Sequence, residues 1–334
     1  MLSISFIIIS AIFQVCAISG YDNDLAFNAY KVTASTYTDN NANLISQCLI
    51  SAFGSFKNLA HSSFSCYKDD DSCTGVYAIF PDINTTLIAF RGTKNILSYL
   101  HQIENAYNFV QYDSAGPSHG YVEKYYKDAA EDVFNKFIIN TINNSPKTTK
   151  YIVTGHSLGG ALAVMTALKL VTTLTAKPED IQVITFGQPR IGDYQFSDFV
   201  HGNLPNLYRL VHYKDVIPHF PACVKEKGSS SECAKQDQKP FHHTREVFYN
   251  SDKDSTEYKL CDPDLGEDPK CSDGLDLSDN IEGFFSDYHN TYFNINIQKF
   301  GERGCQNSAH RIFSSLLYIL MTIKLFDVIS YTLN

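Results

Sequence analysis

The sequence predicts an α/β protein built on a central, mostly parallel sheet flanked by helices. Apolar runs of strand length alternate with runs of helical spacing through the middle of the chain. A Gly-His-Ser-Leu-Gly turn also joins one of those strands directly to the helix after it. A sheet of this kind places its active site beyond the carboxyl ends of its strands.

The elements follow in order. Val76 to Phe80 and Thr86 to Phe90 are β-branched and aromatic runs separated by Pro81-Asp82-Ile83-Asn84, which predicts a hairpin. From Tyr121 to Ile139, apolar residues at 122, 125, 126, 129, 130, 133, 134 and 137 keep helical spacing with charges between them. Tyr151 to Thr154 is a short apolar strand, Leu158 to Thr172 an Ala/Leu/Val-rich helix, and Ile181 to Phe186 and Leu207 to His212 two further strands. No internal repeat or low-complexity linker divides them.

Composition narrows the function classes. With 334 residues, 44% of them hydrophobic and 19% charged, the chain can bury one large core or two small ones. A formal charge of −9, with no basic run, sets it against nucleic acid as a partner. The apolar run Phe6 to Ala17, ending in Ala17, Ser19 and Gly20, has the build of a cleaved secretory leader over residues 1–20, although no Lys or Arg precedes it. At about twelve residues it is too short to span a bilayer.

Cysteine usage agrees with export. Without Cys16 in the leader, eight cysteines remain, and six form close pairs: Cys66/Cys73, Cys223/Cys233 and Cys261/Cys271. Cys48 and Cys305 are left to join the two ends of the mature chain, one pairing among about 105. Asn84 and Asn143 head sequons in polar, turn-like stretches and are candidate glycan acceptors. Residues 21–305 are expected to form a single domain, followed by an apolar tail, 306–334. Its run Ile312 to Ile323 fits an appended helix, a membrane-associated end or a processed signal.

Gly155-His156-Ser157-Leu158-Gly159 carries the chemistry. A sharp strand-to-helix turn lifts the Ser157 hydroxyl off the sheet, and the helix N-terminus adds partial positive charge where an oxyanion would form. Serine needs a base, and the base needs a carboxylate to hold its ring. In chains of this architecture the partners follow in the order acid, then histidine. Asp215, just beyond the strand Leu207 to His212, is the leading acid. For the base, His289 competes with His212, His219, His242 and His243, and spacing alone leaves the choice open.

Five blocks in order then carry a family resemblance: Phe90-Arg91-Gly92-Thr93, Gly155 to Gly160, Gly187 to Asp193, Lys214 to His219, and Tyr288-His289-x-x-Tyr292-Phe293. Over roughly Tyr30 to Cys305 the chain resembles the class 3 lipases, typified by secreted filamentous-fungal triacylglycerol lipases. The resemblance implies an α/β-hydrolase fold and selects Ser157, Asp215 and His289 as the catalytic residues. It also implies an oxyanion hole from Thr93 and the Leu158 N–H, with Cys48–Cys305 and Cys261–Cys271 as family-like bridges. In the family, a lid occupies the position of Asn95 to Ile103, where Ile96, Leu97, Leu100 and Ile103 share one helical face with Tyr99 beside them. Tyr99 stands where several fungal members have Trp, and Gln102 where they have Asp.

No Cys/His spacing suggests zinc, and the acidic run 262–282 lacks the spacing of an EF-hand loop, so no metal and no cofactor are expected and a solvated insertion is favoured. The resulting expectation is a secreted, monomeric serine ester hydrolase acting on triacylglycerols at a lipid–water interface. Phospholipase A1 or feruloyl-type esterase activity would use the same triad. A non-catalytic lipid-binding protein is the alternative of another class.

Overall fold

A computed structural model describes residues 20–65, 72–93, 108–113, 119–174, 176–226, 233–252, 254–275 and 288–306. The leader, Cys66, the expected lid residues Ile96, Leu97, Tyr99, Leu100 and Ile103, and the tail from 307 lie outside the described residues.

Eight strands form the main sheet. In chain order the first three are β1 (Lys57–Ser65), β2 (Ser72–Phe80) and β3 (Thr85–Phe90). A separate small ribbon follows, β4 (Phe109–Gln111) with β5 (Tyr121–Glu123). The main sheet resumes with β6 (Lys150–His156), β7 (Ile181–Phe186), β8 (Asn206–His212), β9 (Glu246–Tyr249) and β10 (Lys259–Leu260). The spatial order is β1-β2-β3-β6-β7-β8-β9-β10. Strands β3, β6, β7, β8 and β9 run parallel, and β1, β2 and β10 are antiparallel to their neighbours. The middle strands read as continuous apolar runs because both faces are covered, the usual condition for parallel strands.

One face is covered by α3 (Lys124–Val133) and α4 (Leu158–Thr172), whose Ala, Leu and Val residues pack on Ile88, Val153 and Val183. The expected helix from Tyr121 begins three residues late. Tyr121 to Glu123 are taken up by β5, and the Glu123 carboxylate accepts the Tyr125 N–H to cap α3. A π-helical turn, Phe134–Ile138, continues that helix to Asn143. The hairpin forms as read, with Asn84 in the left-handed conformation at its turn.

The other face is covered by α1 (Asn23–Ser35) and α2 (Ala42–Phe53), with Asp22 and Asn41 as N-caps accepting first-turn N–H groups. α5 (Tyr194–Asn203) lies between β7 and β8 in the chain, and α6 (Ile297–Gly301) follows the ribbon of β11 (Thr291–Tyr292) and β12 (Ile295–Asn296). An aromatic cluster of Tyr30, Phe186, Tyr249, Tyr292 and Phe293 joins α1 to the sheet and to the last segment.

Cys48 is bonded to Cys305, Cys223 to Cys233 and Cys261 to Cys271. Cys73 is also disulfide-bonded. The acidic run departs from a solvated insertion: Glu267, Asp268 and Asp273 are buried. The Arg190 guanidinium meets both Glu267 oxygens, at 2.7 and 2.8 Å, and lies 3.3 Å from Asp273. Burial of Glu267 and Asp273 is tolerated because Arg190 pairs with them, so this part of the run is internal scaffold, while Asp262 and Asp264 remain exposed. Among the described residues no helix is long and apolar enough to cross a membrane.

Candidate active site

Ser157 sits between β6 and α4 with φ 58° and ψ −129°, a left-handed conformation that serine adopts only under constraint. Its N–H donates to the Phe186 carbonyl at 2.8 Å. Small residues make the turn possible. A Cβ on Gly155 would fall 2.0 Å from the Gly159 oxygen, and one on Gly159 would fall 2.3 Å from the Phe90 oxygen. Strand β6, helix α4 and the end of β3 therefore meet at backbone distance.

The end of β3 brings the Phe90-Arg91-Gly92-Thr93 block to the serine. A Cβ on Gly92 would lie 2.7 Å from Ser157 Cβ, and Thr93 follows it, buried. Leu158 is the first residue of α4, so its N–H has no intrahelical acceptor and is free to face a ligand.

Asp215 lies in the turn after β8 and is buried. Its Oδ2 accepts from His289 Nδ1 at 2.9 Å, and its Oδ1 accepts from the Ile217 N–H at 3.0 Å. Burial pushes the carboxyl pKa up, but the His289 ring and these hydrogen bonds outweigh it and hold the group below the usual carboxylate range. Gly187, at φ +59°, roofs the pair: a Cβ there would lie 2.8 Å from the His289 ring and 2.9 Å from Asp215 Oδ2. The His289 ring in turn lies 4.5 Å, centroid to centroid, from the ring of His156, which precedes the serine. Ser157 Oγ and His289 Nε2 are both buried and, among the described residues, both lack a hydrogen-bond partner.

The competing histidines are engaged elsewhere. His212 faces the carbonyls of Tyr288 and Ser251. His219 lies 3.8 Å from Asp273. His242 and His243 are buried around Gln188, and burial holds both below the ordinary histidine range, His243 at about 3. His289 is thus the histidine whose ring reaches Asp215 among the described residues.

The Gly187-to-Asp193 block is structural. Asp193 caps α5 through the Phe196 N–H and also accepts from the N–H groups of Tyr121 and Gln238, tying three segments together. Two clusters have metal-like donor composition, Glu246 with Cys261 and Cys271, and Cys233 with Glu267 and Asp273. Their sulfurs are in disulfides, and their carboxylates face Arg209 and Arg190. A cation fits neither cluster.

This arrangement has known counterparts. Residues 87–225, spanning β3, the serine turn and Asp215, match the family model described as "Lipase (class 3)". This segment belongs to the class 3 lipase family. Lipase ZK262.3 of Caenorhabditis elegans is 28% identical over 285 residues, covering 79% of this chain and 78% of that one. The lipase of Rhizomucor miehei is 28% identical over 216 residues, 64% of this chain. The chain spans 53% of that relative's length. A solved structure of Rhizomucor miehei triacylglyceride lipase matches 82% of this chain and 94% of its own, with a TM-score of 0.62 and 24% identity. That likeness shows the α/β-hydrolase fold that the family resemblance implied, with the parallel central sheet predicted from the alternation of elements.

Proposed function

We propose that this class 3 lipase is an exported serine hydrolase that cleaves lipid acyl esters, triacylglycerols foremost. The observation that carries the reading is the Asp215–His289 hydrogen bond, together with a strained serine turn whose buried hydroxyl, like the buried His289 Nε2, has no hydrogen-bond partner among the described residues. Asp215 fixes the His289 tautomer with Nδ1 protonated, leaving Nε2 as the basic nitrogen. His289 would take the Ser157 proton as the hydroxyl attacks an ester carbonyl, then return it to the departing alcohol; water would resolve the acyl-enzyme by the same route. The Leu158 N–H, with the N–H and hydroxyl of Thr93, would hold the tetrahedral oxyanion.

Ile96, Leu97, Tyr99, Leu100 and Ile103 would cover the acyl groove in water and turn to a lipid surface. The protein would work as a monomer at that interface, with any membrane association lying in its tail. Disulfides support passage through an oxidising compartment, and Asn84 and Asn143 are both exposed, as glycan acceptors must be.

The test is a substrate panel of tributyrin, phosphatidylcholine and methyl ferulate on the secreted protein, with Ser157→Ala alongside. Preferred turnover of tributyrin, abolished in the variant, is expected. Preference for either other ester would reassign the substrate within the same mechanism. Absence of turnover together with absence of fluorophosphonate labelling at Ser157 would leave a lipid-binding role instead.

A further inference from the structure

His156 belongs to the serine motif but makes no use of its ring in the mechanism above. The ring is buried, and both nitrogens are occupied. Nε2 lies 2.7 Å from the His289 carbonyl oxygen, which can only accept, so Nε2 carries the proton and donates it. Nδ1 is therefore the acceptor, and the Tyr37 hydroxyl donates to it at 2.6 Å. One continuous chain of donors runs from Tyr37 through His156 to the backbone of His289.

Building on the ester-hydrolase reading, we propose that Tyr37 and His156 are positioning residues that set the His289 loop at its working distance from Ser157. Three observations support it. First, among the described residues the His289 ring is hydrogen-bonded only at Nδ1, through Asp215, which restrains the ring's tautomer but leaves its approach to Ser157 to the backbone. The hydrogen bond from His156 supplies that second restraint. Second, the other tautomer of His156 would turn a lone pair toward the His289 carbonyl, so that carbonyl requires the proton on Nε2, and the Tyr37 hydroxyl satisfies the bare Nδ1 and holds the ring in the orientation that reaches the loop. Third, burial holds the His156 pKa down at about 3, so the ring stays neutral beside His289 when that ring gains its proton.

Tyr37 is itself held from the far end of the chain. It follows α1, and its Cβ lies against Gly301 of α6, where an added methyl would approach to 3.2 Å.

The test uses the secreted protein with Tyr37→Phe, His156→Leu and His156→Gln. Glutamine presents one amide acceptor and one donor about as far apart as the two ring nitrogens, so it can keep both hydrogen bonds. A displacement of His289 of about 1 Å should lower kcat about 100-fold. Tyr37→Phe and His156→Leu are expected to lose about 10- to 100-fold in kcat with little change in KM. Fluorophosphonate labelling of Ser157 should slow in parallel, while His156→Gln stays within about threefold of the parent. Nitrogen-15 NMR should show His156 protonated at Nε2 in the parent, with the Nδ1 resonance shifted in Tyr37→Phe by loss of the hydroxyl's hydrogen bond.

Parent-like kcat in both deletion variants would overturn the proposal, as would a loss in His156→Gln equal to that in His156→Leu, or a parent ring protonated at Nδ1. Should His156→Leu not fold, Tyr37→Phe and the NMR signature decide alone. A parent protein and Ser157→Ala equally inert toward every ester would sink the hydrolase reading. The NMR measurement would still decide the hydrogen-bond chain.

Discussion

At Ser157 the backbone accepts a left-handed conformation costing about 1–3 kcal/mol in order to present one hydroxyl. The neighbours determine what that hydroxyl can do. Thr93→Val removes one donor from the proposed oxyanion hole and should lower kcat on tributyrin about 10²- to 10³-fold, with an unchanged melting temperature as the control. Unchanged turnover would remove Thr93 from the site. Asp215→Asn should keep the fold yet lower kcat by about 10⁴, because the amide favours the wrong imidazole tautomer.

Buried histidines also set the acid limit of stability. His156 and His243 have pKa values held at about 3 against an ordinary 6.5, and His242 is depressed as well. Between those values the unfolded chain binds protons that the folded chain refuses, so stability rises with pH across this window and is lost as pH falls through it. Each histidine adds a slope of up to about 1.4 kcal/mol per pH unit. Urea midpoints measured from pH 7 to pH 4 should therefore fall steeply, and less steeply in His156→Gln. A flat profile would contradict the burial of these rings. At this scale Ser157 and Asp215 were readable from neighbouring residues, whereas the role of Tyr37 was not, since no motif marks a tyrosine that meets its partner 119 positions away.

Among the elements, the turn after β7 is the most constrained. Gly187→Ala would push a methyl against both His289 and Asp215 at a φ of +59°, so activity should fall about 100-fold as the pair separates. Loss of the low-field proton resonance of the Asp215–His289 bond would report the displacement; retention of both signal and activity would show that the turn relaxes freely. The strand-to-helix segment from Lys150 to Thr172 and the hairpin were legible because local apolar spacing and the turn residues agree with the tertiary arrangement. Helices α1 and α2 were not singled out: their caps are explicit, but α1 mixes small, aromatic and polar residues without a clear stripe. The start of α3 was misplaced because Tyr121 to Glu123 pair with Phe109 to Gln111. No helical periodicity can anticipate a partner strand. The acidic loop was misread for a similar reason, since Glu267 and Asp273 are buried by an arginine 77 and 83 residues away.

Across the whole molecule, the Cys48–Cys305 bridge closes a separation of 257 residues and ties α2 to the segment after α6. In the chain-entropy picture a loop of that size contributes about 5 kcal/mol, and removal of native bridges in small secreted domains costs about 2–5 kcal/mol. The double variant Cys48→Ser/Cys305→Ser should lose a comparable amount in urea unfolding. An unchanged midpoint would show that packing of α1 and α6 suffices without it.

Taken alone, the sequence determined the alternation of strand and helix, the position of the nucleophile on the turn between them, and, through its ordered blocks, the family. These are local properties, written in periodicity and in residues a few positions apart. Spacing left five histidines open and only the family resemblance selected His289; the tertiary structure shows its ring on the acid, turns some acidic residues inward, and lets Tyr37, through His156, reach the backbone of His289. Those outcomes depend on groups separated by as many as 133 positions coming within hydrogen-bond distance, and only the folded sheet and its two helical layers bring them together.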